Sequence, residues 1–160
     1  MELPKRKNIR LKEYDYSENG AYFITICTYN RRKILSNITV GEGLRALPSV
    51  ELTTTGKIVE EAINFINKAY KNITVDKYVI MPNHVHLLLS MRAGGHGDPP
   101  LQVYDIVGRM KSFTTYKYGK ILWQRSFYDH VIRNENDYHE IWEYIENNPF
   151  SWAADEFFSE

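Results

Sequence analysis

The sequence predicts an α+β fold: a βαββαβ antiparallel sheet with helices on one face, followed by a C-terminal helix. Three observations predict it. Segments with strand and helix periodicity follow the order strand, helix, strand, strand, helix, strand, helix. Two apolar strands are separated only by Met81-Pro82-Asn83, a link so short that they must be antiparallel neighbours. The chain has 160 residues, 43% of them hydrophobic, which suits one domain with a core that needs no staples. No repeat or second domain is visible, so residues 1–160 read as a single domain.

Residues 1–20 are polar and basic and read as an extended or irregular arm. Ala21 to Thr28 is rich in β-branched and aromatic residues, with Phe23, Thr25 and Cys27 on one face and Tyr22, Ile24 and Ile26 on the other. Both faces are mostly apolar, which predicts a central strand. Asn30 to Lys33 is a basic turn. Ser36 to Leu52, punctuated by Gly41, Gly43 and Pro48, reads as a loop or loose excursion.

Thr53 to Gly56 leads into a helix ending near Tyr70, with Ile58, Ala62, Phe65, Ile66 and Ala69 at helical spacing. Ile73–Ile80 and His84–Ser90 are the two linked strands. Residues 92–100, with three glycines, two prolines and His96, form a surface loop. Leu101 to about Tyr118 is helical, with Val103, Ile106, Val107 and Met110 as its stripe and Phe113 and Thr114 beyond it. A fourth strand falls within Ile121–Ile132. Asn136 and Asp137 then cap a last helix to about Asn147, and Tyr138, Ile141, Trp142 and Ile145 form its docking face. Pro149 stops that helix.

Formal net charge is zero, so bulk charge does not advertise a nucleic-acid partner. Its distribution is more telling. Lys5, Arg6, Lys7, Arg10 and Lys12 crowd the N-terminus, whereas residues 134–160 carry eight acids and no Lys or Arg. The single cysteine, Cys27, reads as a small core residue. No stretch resembles a signal peptide or a membrane span, so no membrane partner and a cytoplasmic location are expected.

The chemistry concentrates at His84-Val85-His86. On an extended strand these imidazoles share one face, about 7 Å apart along the backbone. Two histidines in an apolar strand are costly to bury unless paired or ligated, and a metal ion is the first candidate. On the last helix Tyr144 and Asn148 are four residues apart, one turn along one face. A phenol is a weak nucleophile because its pKa is near 10. It becomes useful where a metal polarises an electrophile such as a phosphodiester. Tyr138 is an equal candidate by composition, and spacing does not choose between them.

His84-Val85-His86 resembles the HUH motif (histidine, apolar residue, histidine) of single-strand DNA nucleases. Together with Tyr78 to Asn83, Trp123-Gln124, Asp129 to Arg133 and Tyr144-Ile145-Glu146-Asn147-Asn148-Pro149, it resembles the REP-associated tyrosine transposases. These are relatives of the smallest insertion-sequence transposases. The resemblance runs from about Arg10 to Trp152. It implies a ferredoxin-like sheet and a nucleophile on a late helix, which falls on Tyr144. It implies Mg²⁺ or Mn²⁺ held by His84, His86 and Asn148. It further implies cleavage of single-stranded DNA beside a hairpin (a REP-like or insertion-sequence end) through a 5′-phosphotyrosine. The sequence leaves open whether the chain acts as a monomer or as a homodimer that trades helices between subunits.

Lys5, Arg6, Lys7, Arg10, Arg31, Arg32, Arg109, Lys111 and Arg133 are candidate phosphate contacts, and Tyr14, Tyr16 and Tyr116 could stack unpaired bases. His130 and His139 read as structural or solvent residues. Two other readings stand beside the transferase: a non-catalytic nucleic-acid-binding domain on the same fold, and metal-dependent hydrolysis without a covalent intermediate.

Overall fold

The computed structural model describes residues 20–40, 48–92 and 103–152. The arm before Gly20, the loop around His96, and Phe157 and Phe158 lie outside the described residues. The elements are β1 (Gly20–Cys27), a 3-10 turn (Tyr29–Arg31), β2 (Ser36–Val40), β3 (Pro48–Leu52), α1 (Thr54–Ala69), β4 (Ile73–Ile80), β5 (His84–Met91), α2 (Val103–Tyr118), β6 (Tyr128–Ile132) and α3 (Glu135–Asn147). The main sheet has the order β4-β5-β1-β6, with every neighbouring pair antiparallel. The central position expected for β1 follows from its two apolar faces.

Strand alternation divides the sheet into two working faces. Tyr22, Ile24 and Ile26 of β1 and Val85, Leu87 and Leu89 of β5 join Val59, Ile63, Ile66, Ile106, Val107 and Met110 in the main core under α1 and α2. The opposite face carries Phe23 and Leu88, which pack with Ile145 of α3. Around them lie Tyr138, Ile141 and Trp142, the face expected to dock. His84 and His86 pair with Cys27 and Thr25 and so share the α3 side. Among the described residues, no helix is long and apolar enough to cross a membrane.

Four expectations need correction. Ser36–Leu52 is not merely a loop: β2 and β3 pair antiparallel from Ser36↔Leu52 to Val40↔Pro48. The glycine signals fall on residues 41–47, between the strands and outside the described residues. The buried face of α1 is Gly56, Val59, Ala62, Ile63 and Ile66, whereas Phe65 is 61% exposed. On α2, Thr114 is buried but Phe113 is exposed. The cap of α3 is Asn134, whose side chain accepts a hydrogen bond from the Asp137 amide at 2.8 Å.

The face of α1 is fixed by a close backbone approach. A Cβ on Gly56 would lie 2.0 Å from the Leu35 carbonyl oxygen. Thr53 caps the helix by accepting from the Gly56 amide at 3.1 Å, and its hydroxyl donates to the Ile34 carbonyl at 2.6 Å. The Leu35 amide donates to the Pro82 carbonyl at 3.0 Å, which ties this junction to the turn before His84. Gly56→Ala should therefore lower stability by about 1–3 kcal/mol, as an overpacked site does. Urea unfolding would show it as a lower midpoint at constant slope.

Candidate active site

The strand pattern buries both histidines, His84 at 0% and His86 at 1% exposure. Their ring centroids are 4.6 Å apart at 70°. Each Nδ1 is already engaged. His84 Nδ1 donates to the Asn83 side-chain carbonyl at 2.7 Å, and His86 Nδ1 lies 2.8 Å from Thr25 Oγ1. Nδ1 partners of this kind orient a ring and direct Nε2 to the role of ligand. Burial, then the neighbouring His84, holds the His86 pKa well below its ordinary value. His86 is thus kept neutral, the form that binds metal.

α3 brings the remaining groups. The Tyr144 ring stands 5.3 Å from the His86 ring and 5.9 Å from Phe23, and the residue is 40% exposed. Asn148, one turn further, is buried at the C-cap. Trp152 stacks at 6.1 Å from His84. Tyr138 is placed differently. Its hydroxyl donates to Asp76 Oδ2 at 2.8 Å, and burial, then that carboxylate, pushes its pKa up to about 12. The two tyrosines that composition left equal therefore have different surroundings.

The donor set suits a divalent metal. Two imidazole nitrogens and an amide oxygen are ordinary ligands for Mn²⁺, while phosphate and water oxygens can complete the shell. The Nε2 atoms of His84 and His86 and Oδ1 of Asn148 are buried and make no hydrogen bond, although each residue is held by other contacts. Among the described residues, no group of three or more His, Cys, Asp and Glu side chains could hold a metal ion, so a metal at the histidine pair would draw on an amide or substrate oxygen as well.

Residues 16–148 match the family described as "Transposase IS200 like". The chain belongs to the IS200-like transposase family. It is 33% identical over 174 aligned positions to an uncharacterized protein of Haemophilus influenzae, covering 96% of this chain and 93% of the relative. It is 28% identical to a REP-associated tyrosine transposase of Escherichia coli, covering 84% of this chain and 68% of the relative. A solved REP-associated tyrosine transposase, bound to a REP hairpin, superposes with a TM-score of 0.65 at 26% identity, covering 88% of this chain and 74% of that one. The ferredoxin-like sheet expected of this family is thus present.

The other candidate residues of this family member are dispersed. Lys5, Arg6, Lys7 and Arg10 lie outside the described residues. Arg31 and Arg32 follow β1 in a turn where Asn30 and Arg31 take φ of 55° and 53°. Arg109 is on α2, on the other face of the sheet, and donates to the Tyr70 hydroxyl at 2.8 Å. Lys111 Nζ donates to the Gln124 carbonyl at 2.7 Å. Arg133 is exposed beside the start of α3, and Tyr116 is 82% exposed. A 740 Å³ groove between α1 and α2 is on that far face and holds no histidine. His130 binds Asp137 at 2.9 Å, away from the histidine pair, and so serves the start of α3.

Sequence reading missed Thr25, Asn83 and Trp152. Thr25 had a signal, a polar residue in an apolar strand on the face that register shares with His86. Asn83 had one too, directly before the motif. Trp152 had none, because its place depends on the turn after α3.

Proposed function

We propose that this transposase-family chain is a metal-dependent single-strand DNA endonuclease and strand transferase, cleaving beside a hairpin with Tyr144 as nucleophile. The observation that carries the proposal is the approach of the Tyr144 ring to 5.3 Å from buried His86. Asn148 is one turn along the same helix. His84, His86 and Asn148 would hold Mg²⁺ or Mn²⁺. When bound, the metal supplies Lewis-acid polarisation of the scissile phosphate.

Tyr144 Oη attacks phosphorus in line and loses its proton to solvent. The bond to the 3′-oxygen breaks, and that oxygen takes up a proton as a free 3′-hydroxyl. The 5′-phosphate stays esterified to Tyr144, so the bond energy is kept for rejoining to another 3′-hydroxyl. A hairpin partner is supported by the relative solved on a REP hairpin. The binding-module reading fits less well. Modules of that kind read bases with aromatics on an open sheet face. Here that face lies under α3, against Phe23 and Leu88.

The DNA flank has a natural path. Residues 28–35 and 111–125 together contain seven Lys and Arg and no acid. They are joined by Arg32 Nη2 to the Ile121 carbonyl at 2.8 Å and by the Tyr29 amide to the Leu122 carbonyl at 2.9 Å. The Gln124 amide reaches the carbonyl of Cys27, the partner of His84 in the sheet. This basic end therefore borders the histidine site. Arg31→Ala and Lys120→Ala should each weaken DNA binding and lower the salt-dependence slope by about one. Unchanged slopes in filter-binding titrations would remove this path.

The proposal is tested by incubating the protein with Mn²⁺ and labelled single-stranded hairpin DNA. The expected product is a denaturation-resistant protein–DNA adduct. Cleavage without an adduct would replace it by hydrolysis, and binding without cleavage under either metal would leave a binding module.

A further inference from the structure

We propose that the β-bulge at Asp76 is a docking device for α3, with Asp76, Lys77 and Tyr138 as positioning residues for the reaction at Tyr144. The proposal takes its chemistry from the function proposed above. Its structural part stands alone.

The register locates the bulge. Val75 pairs with Leu89 and Lys77 with Leu88, so Asp76 is an extra residue in β4. An extra residue re-phases the side chains of a strand. Val75, Tyr78 and Ile80 join the main core, and the Tyr78 hydroxyl reaches Glu60 of α1 at 2.7 Å. Val79 lies with the small cluster beneath α3. Asp76 and Lys77, although consecutive, both reach α3. An unbulged strand would place Lys77 opposite Leu87, facing the main core.

The two residues hold successive turns of one helix edge. Asp76 Oδ2 accepts from the Tyr138 hydroxyl at 2.8 Å and also from the Ser90 hydroxyl of β5. Lys77 Nζ stands 4.8 Å over the Trp142 ring and 3.7 Å from Glu146. Tyr138, Trp142 and Glu146 are spaced by four, so they form one line along α3. The Lys77–Glu146 pair is partly exposed and contributes little alone. The half-buried phenol–carboxylate bond is the stronger hold.

Such a hold is needed because the apolar seat is small. Among the described residues, the buried apolar side chains of this cluster are Phe23, Leu88 and Ile145, flanked by the partly buried Val79, Ile132, Tyr138, Ile141 and Trp142. Non-directional packing on so few side chains leaves the roll of the helix about its axis poorly fixed. A directional hydrogen bond at Tyr138 fixes it. Asn134 and the His130–Asp137 contact hold the start of the helix. Roll is the coordinate that brings Tyr144 and Asn148 to the histidines.

The test compares Tyr138→Phe, Asp76→Ala and Asp76→Asn with the unsubstituted protein. Amide hydrogen exchange is followed over 135–147, and single-turnover adduct formation is measured with Mn²⁺ and hairpin DNA. Tyr138→Phe and Asp76→Ala should speed exchange in α3 while β1 and β5 keep their protection. They should slow adduct formation about 10- to 100-fold, as a displaced reacting group does, with DNA affinity unchanged. Asp76→Asn, which keeps an acceptor oxygen, should recover most of the rate. Wild-type exchange and rate in both Tyr138→Phe and Asp76→Ala would overturn the proposal, as would exchange accelerated uniformly across the fold. If the unsubstituted protein forms no adduct, the proposed function fails, and exchange in α3 still decides the docking role.

Discussion

Tyr144→Phe is expected to abolish the covalent protein–DNA adduct while leaving stability and DNA binding as they are. The substitution removes one oxygen. The ring that meets His86 and Phe23 is retained, and the residue is 40% exposed, so the stability change should stay within about 0.5 kcal/mol. Loss of a nucleophile removes the covalent route itself, and the rate should fall at least about a thousandfold. Tyr138→Phe makes the contrast. Its hydroxyl donates a hydrogen bond to Asp76, and its pKa of about 12 is unfavourable for phenolate. Adduct should still accumulate in Tyr138→Phe, more slowly but to completion. Adduct surviving in Tyr144→Phe would move the nucleophile elsewhere, and its loss only in Tyr138→Phe would exchange the two roles.

The two tyrosines also mark where the sequence ceases to be informative. Period two placed His84 and His86 on one face, and the structure puts that face under α3. Period 3.6 gave the docking side of α3 through Tyr138, Ile141, Trp142 and Ile145. Both patterns are local, and local patterns are legible in one chain. The misread features depend on distant atoms. The face of α1 is chosen by the Leu35 carbonyl at Gly56, which outweighs an apolar stripe that included Phe65. The β2–β3 ladder pairs two five-residue strands across seven intervening residues, and neither strand is apolar enough to announce itself. The bulge at Asp76 is invisible without the register of β5, and with it the contact that sets the surroundings of Tyr138 apart from those of Tyr144, two residues that spacing left equal and the family resemblance alone distinguished.

Addition of Mn²⁺ should raise the melting temperature, and His84→Ala or His86→Ala should each remove that rise. A ligand that binds only the folded state stabilises it by about 2.7 kcal/mol at a hundred times its dissociation constant. In a domain of this size each kcal/mol moves the melting temperature by roughly 2–4 °C, so the rise should be about 5–11 °C. The alanine variants also lose packing at fully buried positions, so their own melting points will fall without any metal. The informative quantity is therefore the difference between each protein with Mn²⁺ and the same protein in a chelator. Asn148→Ala should reduce that difference without removing it, because the two imidazoles remain. Imidazole nitrogen favours Mn²⁺ over Mg²⁺, which prefers an all-oxygen octahedron, so Mg²⁺ should give the smaller rise at equal concentration. Thr25→Ala and Asn83→Ala release the Nδ1 partners and should weaken binding about 10- to 100-fold with the ligands intact. An equal rise in the unsubstituted protein and in both histidine variants would place the bound metal elsewhere and leave the buried pair as a structural feature of β5.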